Sequence, residues 1–231
     1  SPGTFLHGLF ETLDFSQPPD EAWLAEQLQL AGFGEQWLPM LSEWIRRVLQ
    51  TPLNQAGIHL AGLSPGHYLV ELEFYLPVDQ MLTAPALDTV MRQHDSLSAR
   101  APELNFQQVQ GMLKGFIDLV FCWQGKYYLL DYKSNWLGEE SDAYTPQAMA
   151  EAMISHRYDL QYQLYTLALH RYLGHRVADY DYERHFGGVF YLFLRGMDGS
   201  ASENGVFYHR PEAEFVMALD RLFSGDKVEA K

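Results

Sequence analysis

Residues 112–133 constrain this chain more than any other stretch. MLKGFIDLVFCW and KYYLLDYK are apolar runs rich in β-branched and aromatic residues, joined by Gln124-Gly125. That is the pattern of a β-hairpin closed by a two-residue turn. Each arm carries one carboxylate in apolar company: Asp118 between Phe116-Ile117 and Leu119-Val120, and Asp131 after Leu129-Leu130. One carboxylate is costly to bury without a partner, and two close together cost more. Such a hairpin needs a compensating charge, and a divalent cation, hard and oxygen-seeking, is the natural one. Lys133 follows Asp131 by two residues, so on a strand the two side chains share a face. Tyr132 then points away and offers only its backbone carbonyl. A D-x-K triplet by itself reads more readily as a salt bridge at a strand end. Asp118 on the facing arm tips the balance toward a phosphodiester-cleaving set, in which a metal activates water and a lysine steadies the charge that develops.

The remaining chain reads as a mixed α/β domain with a mainly helical region over 1–66 and a catalytic core over 67–231. A helix is expected over 20–31, capped by Asp20, with Trp23, Leu24, Leu28 and Leu30 on its apolar side and Gly32 at its end. A second is expected over 35–50, with Pro39 near its start and Pro52 after it. Residues 67–76 alternate as a strand, with Leu69, Glu71, Glu73 and Tyr75 on one face and Tyr68, Val70, Leu72 and Phe74 on the other. A polar loop over 134–145 precedes one long helix over 146–173, opened by Pro146 and closed by Gly174. Gly187-Gly188 reads as a turn into a strand buried on both faces, GGVFYLFLR, and a last helix spans 211–223.

Composition bounds the function. No apolar run approaches the roughly 20 residues of a membrane span, and no signal peptide is visible. The start at Ser1-Pro2 fits a fragment of something longer. The single cysteine, Cys122, sits in an apolar run and is expected to be a buried, inert thiol in a reducing, cytoplasmic setting. The net charge is −14, and among 16 Lys and Arg only Arg46-Arg47 are adjacent. A protein that holds DNA unaided shows a basic patch, so either DNA is not the ligand or another chain or domain holds it and this one only cuts; the hairpin acids favour the second. There is no G-x-x-x-x-G-K-[ST], hence no P-loop in this stretch. His170 and His175 lack a zinc-ligand arrangement. Glu139, Glu140 and Asp142 read as a solvated loop.

G-F-I-D, twelve residues, D-Y-K-S, then Q-Y-Q-L-Y on a helix resembles the PD-(D/E)xK nucleases, in the form attached to bacterial helicase–nuclease complexes. The resemblance implies a restriction-endonuclease-like mixed sheet flanked by helices. It implies an Mg²⁺-dependent exodeoxyribonuclease acting on single strands fed by an attached helicase, in break repair and degradation of foreign DNA. By the family pattern His7, in G-x-x-x-H, is a metal ligand with Asp118, Asp131 and the Tyr132 carbonyl, in a site Ca²⁺ would also fit. Glu71 matches the family's glutamate, with Glu73 competing. Lys133 is the catalytic lysine, and Gln161 and Tyr165 match a DNA-contacting Q-x-x-x-Y. His7 alone would be one of nine histidines, and Tyr165 alone a half-buried core aromatic. Many relatives bind an iron–sulfur cluster through cysteines; one cysteine cannot, so none is expected. The alternative function is a docking module for a recombinase such as RecA, with catalysis secondary; the intact D…D-x-K set favours the enzyme.

Overall fold

The computed structural model describes residues 1–225. Helix α1 (Pro2–Thr12) begins at Ser1, whose hydroxyl accepts from the Thr4 amide, with Pro2 in the first turn where its missing N–H costs nothing. Helix α2 (Glu21–Leu30) is capped by the Asp20 carboxylate as the sequence predicts, and α3 (Leu38–Gln50) tolerates Pro39 in its first turn. Leu24 and Leu28 are buried, but Leu30 points to solvent. Strand β1 (Tyr68–Leu82) follows, then α4 (Ala84–His94) and α5 (Ser96–Arg100), a helical pair that the apolar pattern did not reveal. Strands β2 (Val109–Trp123) and β3 (Lys126–Lys133) form the expected hairpin. Gln124 and Gly125 both have positive φ, 49° and 77°. That is the type I′ turn whose twist matches paired strands.

The expected single helix over 146–173 is two: α6 (Pro146–Ser155) and α7 (Tyr158–Arg176). The break falls at Arg157, in the left-handed region at φ 54°, a conformation costing a non-glycine residue roughly 1–2 kcal/mol. Its guanidinium offsets this by binding both oxygens of the fully buried Asp159 and the carbonyl of Pro102. At the other end α7 runs through Gly174 to Arg176 rather than stopping there. Short α8 (Tyr182–His185) leads into β4 (Phe186–Phe193), every residue of which is buried. Gly187 and Gly188 lie inside β4, not in a turn. A Cβ on Gly187 would strike the Tyr128 ring, and one on Gly188 the Tyr208 ring, so the glycines make room for aromatic cover. Strand β5 (Val206–His209) and α9 (Ala213–Ser224) complete the described chain.

The sheet order is β1-β2-β3-β4-β5, antiparallel except for β3 beside β4. A parallel pair needs a crossover, which α6, α7 and α8 supply. On one side, Phe10, Leu24, Ile45 and Leu49 of the first three helices pack on Leu119, Phe121, Leu130, Tyr132 and Leu192. On the other, Met149, Tyr162, Leu169 and Val216 cover Val120, Leu129, Val189 and Tyr191. Cys122 is half-exposed, against expectation, because it lies where the sheet opens into a groove with His67, Tyr127 and Arg176. No helix among the described residues is long and apolar enough to cross a membrane.

Strict alternation fails where β1 and β2 cross the middle of the sheet. Tyr68 packs with the α1–α3 side, whereas Leu72 and Phe74 pack with the α6–α7 side. On β2, Leu119 and Phe121 face the first side while Ile117 faces the second. The ladder pairs Val70 with Leu119 and Leu72 with Ile117, which sets Glu71 opposite Asp118. Glu71 has φ 51°. Both strands therefore change sides at the same point, and the even-odd pattern read from 67–76 holds only on either side of it.

Candidate active site

That change of sides frees Asp118 from the sheet faces and aims it across the end of β3. Its Oδ2 accepts from the Tyr132 backbone amide and lies against His7 Nε2, both at 2.9 Å. His7 reaches it because Leu9 and Phe10 anchor α1 in the core beside Tyr132, and the His7 ring meets the Tyr132 ring edge-on at 6.0 Å. One turn later, Glu11 Oε1 lies 2.7 Å from His7 Nδ1. Donor atoms of His7, Glu11 and Asp118 all lie within 4.8 Å of one another. Glu11 was not singled out in the sequence; its i, i+4 relation to His7 on a capped helix was the available signal.

Asp131 and Lys133 converge from β3 as the two-residue period requires, with Nζ 2.7 Å from Asp131 Oδ2. The ammonium also donates to Gln161 Oε1 at 3.0 Å and sits 3.9 Å from the centre of the Tyr158 ring. The same Gln161 oxygen accepts from the Tyr191 hydroxyl at 2.7 Å, and its amide donates to the Tyr165 hydroxyl at 3.1 Å. Tyr165 stands edge-on to Phe74, 5.5 Å between ring centres. Gln161 and Tyr165 thus share a face of α7, as their spacing predicts, and that face is turned to Lys133. Tyr158 and Tyr191 complete the lysine's surroundings; neither carried a sequence signal, since Tyr191 lies in a uniformly apolar strand.

Of the two competing glutamates, Glu71 approaches Glu11 and adds to the repulsion there. Glu73 is turned to solvent and held by Lys114 at 2.7 Å and the Tyr75 hydroxyl at 3.0 Å. Glu139, Glu140 and Asp142 are exposed.

Negative charge exceeds positive in this cluster. Burial, then the neighbouring Asp118 charge, pushes the Asp131 carboxyl up to about 7, with Lys133 pulling the other way. Burial likewise raises Glu11, with Glu71 and Asp118 adding repulsion. The hydrogen bond to Asp118 holds the His7 imidazole at about 9, helped by the charges of Asp118, Glu11 and Asp131 and opposed by burial. Carboxylates this close, with a histidine among them, form a donor set that fits a hard divalent cation. The unrelieved repulsion at Asp131 is the charge deficit such a cation would fill.

The sequence profile of the PD-(D/E)XK nuclease superfamily matches residues 1–224, and the chain belongs to it. Among curated proteins the chain is similar to the RecBCD enzyme subunit RecB of Escherichia coli K12, 62% identical over 229 residues, or 99% of this chain. It is 43% identical to the RecB subunit of Haemophilus influenzae over 96% of its length, and 31% to that of Mycobacterium tuberculosis over 99%. The chain spans 19%, 18% and 24% of those relatives' own lengths.

Proposed function

We propose that this chain is the nuclease domain of a RecB-type subunit, hydrolysing DNA phosphodiester bonds with Mg²⁺ at the hairpin site. The observation that carries the reading is the convergence of Asp118, Asp131 and Lys133, with His7 drawn onto Asp118 from a helix 111 residues away. His7, Asp118, Asp131 and the Tyr132 carbonyl would hold the ion, with Glu11 and Glu71 beside them; Ca²⁺ would suit the same oxygen donors. The bound ion would supply Lewis acidity toward a phosphate oxygen and a lowered pKa for its water.

The residues of this chain do the rest. Lys133, fixed by Asp131, Gln161 and the Tyr158 ring, presents a positive charge to the phosphate as negative charge grows on it. Gln161 holds the lysine, and the neutral Tyr165 phenol backs the glutamine. Similarity to RecB supports a setting in which the RecB helicase region, with RecC and RecD, unwinds duplex in the cytoplasm. Single strands then reach this site during double-strand break repair, recombination and the degradation of foreign DNA, as in exodeoxyribonuclease V.

The test is Asp131→Ala in the holoenzyme. Cleavage of single-stranded DNA in Mg²⁺ should be lost while unwinding persists; cutting at the wild-type rate would sink the reading.

A further inference from the structure

Past the point where β1 and β2 change sides, the buried Leu76 and Ile117 and the partly buried Leu72, Phe74 and Leu113 all turn toward α7 and α9. The residues between them face the side that α1–α3 cover elsewhere, and there none of the described residues covers them. Phe116 is 51% exposed and Tyr75 58%. The register sets Phe116 opposite Glu73 and Lys114 opposite Tyr75, so the two rings are diagonal neighbours, roughly 7–8 Å apart between Cα atoms. Lys114 Nζ lies between them, 5.6 Å from the Tyr75 ring centre and 6.0 Å from that of Phe116. Phe116 is two residues from Asp118, so this bare ledge runs directly into the acidic cluster.

We propose that Phe116 and Tyr75 form a stacking ledge that seats bases of single-stranded DNA beside the hairpin acids. The proposal rests on the nuclease reading for its substrate. An exposed aromatic pair suits either a protein or a nucleic acid, and one observation favours the latter. A protein interface core is depleted in charge, whereas Glu73 and Lys114 sit among these rings, bonded to each other at 2.7 Å. The net charge of −14 opposes phosphate approach and the one lysine here is already paired, so phosphate neutralisation contributes little. Stacking is the attraction left to such a surface, because every base has a π face whatever the sequence. Duplex bases are already stacked on one another, so the ledge selects single strands.

The test is fluorescence anisotropy of a labelled oligothymidylate of about 16 nucleotides and an abasic strand of equal length, in EDTA so that nothing is cut. The wild-type chain should bind the base-bearing strand about tenfold or more tightly than the abasic one. Tyr75→Ala with Phe116→Ala should abolish that preference, and Phe116→Trp should keep it. Both positions are exposed, so melting temperatures should match and separate folding from binding. Equal binding of the two strands by the wild-type chain would overturn the proposal. So would unchanged binding by the alanine variant, including the case where that variant instead loses self-association. Binding is read without cleavage, so an Asp131→Ala enzyme that still cuts would defeat the nuclease reading and leave this result standing.

Discussion

The Lys133 ammonium donates to the Gln161 carbonyl oxygen at 3.0 Å while Asp131 Oδ2 holds it from the other side at 2.7 Å. Gln161, expected to contact DNA, has its oxygen engaged by Lys133 and Tyr191, and on the proposed nuclease reading it would position the lysine. Gln161→Ala should lower single-turnover cleavage roughly 10- to 100-fold, the scale of a misplaced catalytic group. Mg²⁺ affinity, read by calorimetry, should change little. A parallel loss of both would place Gln161 at the ion instead.

Lys133→Gln should likewise depress turnover far more than it changes metal affinity, because the lysine brings positive charge and no lone pair to the site. Equal losses in a titration of rate against Mg²⁺ would mean that the lysine organises the ion's ligands.

Asp131→Asn should abolish cleavage and yet leave the fold as stable or more so. The native carboxylate is buried beside Asp118, and its raised pKa, about 7, records a charge held at a cost. Melting in EDTA should show an equal or higher midpoint for the variant, and Mg²⁺ should raise the wild-type midpoint alone. A lower midpoint in EDTA would contradict the charge-deficit argument.

Arg157 contributes through its charge and suffers from its backbone. Arg157→Ala should cost on the order of 2–4 kcal/mol by leaving the buried Asp159 without its cation, discounted because Arg157 is partly exposed. Arg157→Gly removes the same charge but relieves the left-handed strain, and should be less destabilised than alanine by about 1 kcal/mol. Urea titration of the two variants decides it; alanine equal to or better than glycine would refute the strain.

His170 gives a pH dependence away from the acidic cluster. Burial lowers its pKa from 6.5, opposed by Asp220 and assisted by Arg171, and its ring bonds the Tyr180 hydroxyl and packs on Tyr182. The unfolded chain therefore binds this proton first. The histidine's contribution is intact above pH 6.5 and is lost as pH falls through the depressed folded value. His170→Gln should flatten the wild-type loss of stability below that pH; parallel pH curves for the two proteins would exclude the effect.

The hairpin was legible in the sequence because its information is local. Asp118, Asp131 and Lys133 lie within sixteen residues, their facing follows from the period of a strand, and a type I′ turn fixes the register between the arms. Gly32, Pro39 and the Asp20 cap were legible for the same reason. Less could be read where neighbours in space are remote in sequence. Nothing in GTFLHGLFE by itself places His7 and Glu11 on Asp118; that follows from Leu9 and Phe10 burying one side of α1 against a sheet formed a hundred residues later. That Glu71 rather than Glu73 approaches Glu11 follows from two strands changing sides together at Glu71 and Asp118, a departure from alternation that no even-odd count contains. The helix break at Arg157 has no glycine or proline to announce it, because it is stabilised by a buried aspartate and a carbonyl from elsewhere in the chain. Sequence determined which residues carry the charge and which local units present them. Tertiary packing decided how closely those charges meet, since only burial against distant partners makes their mutual repulsion large.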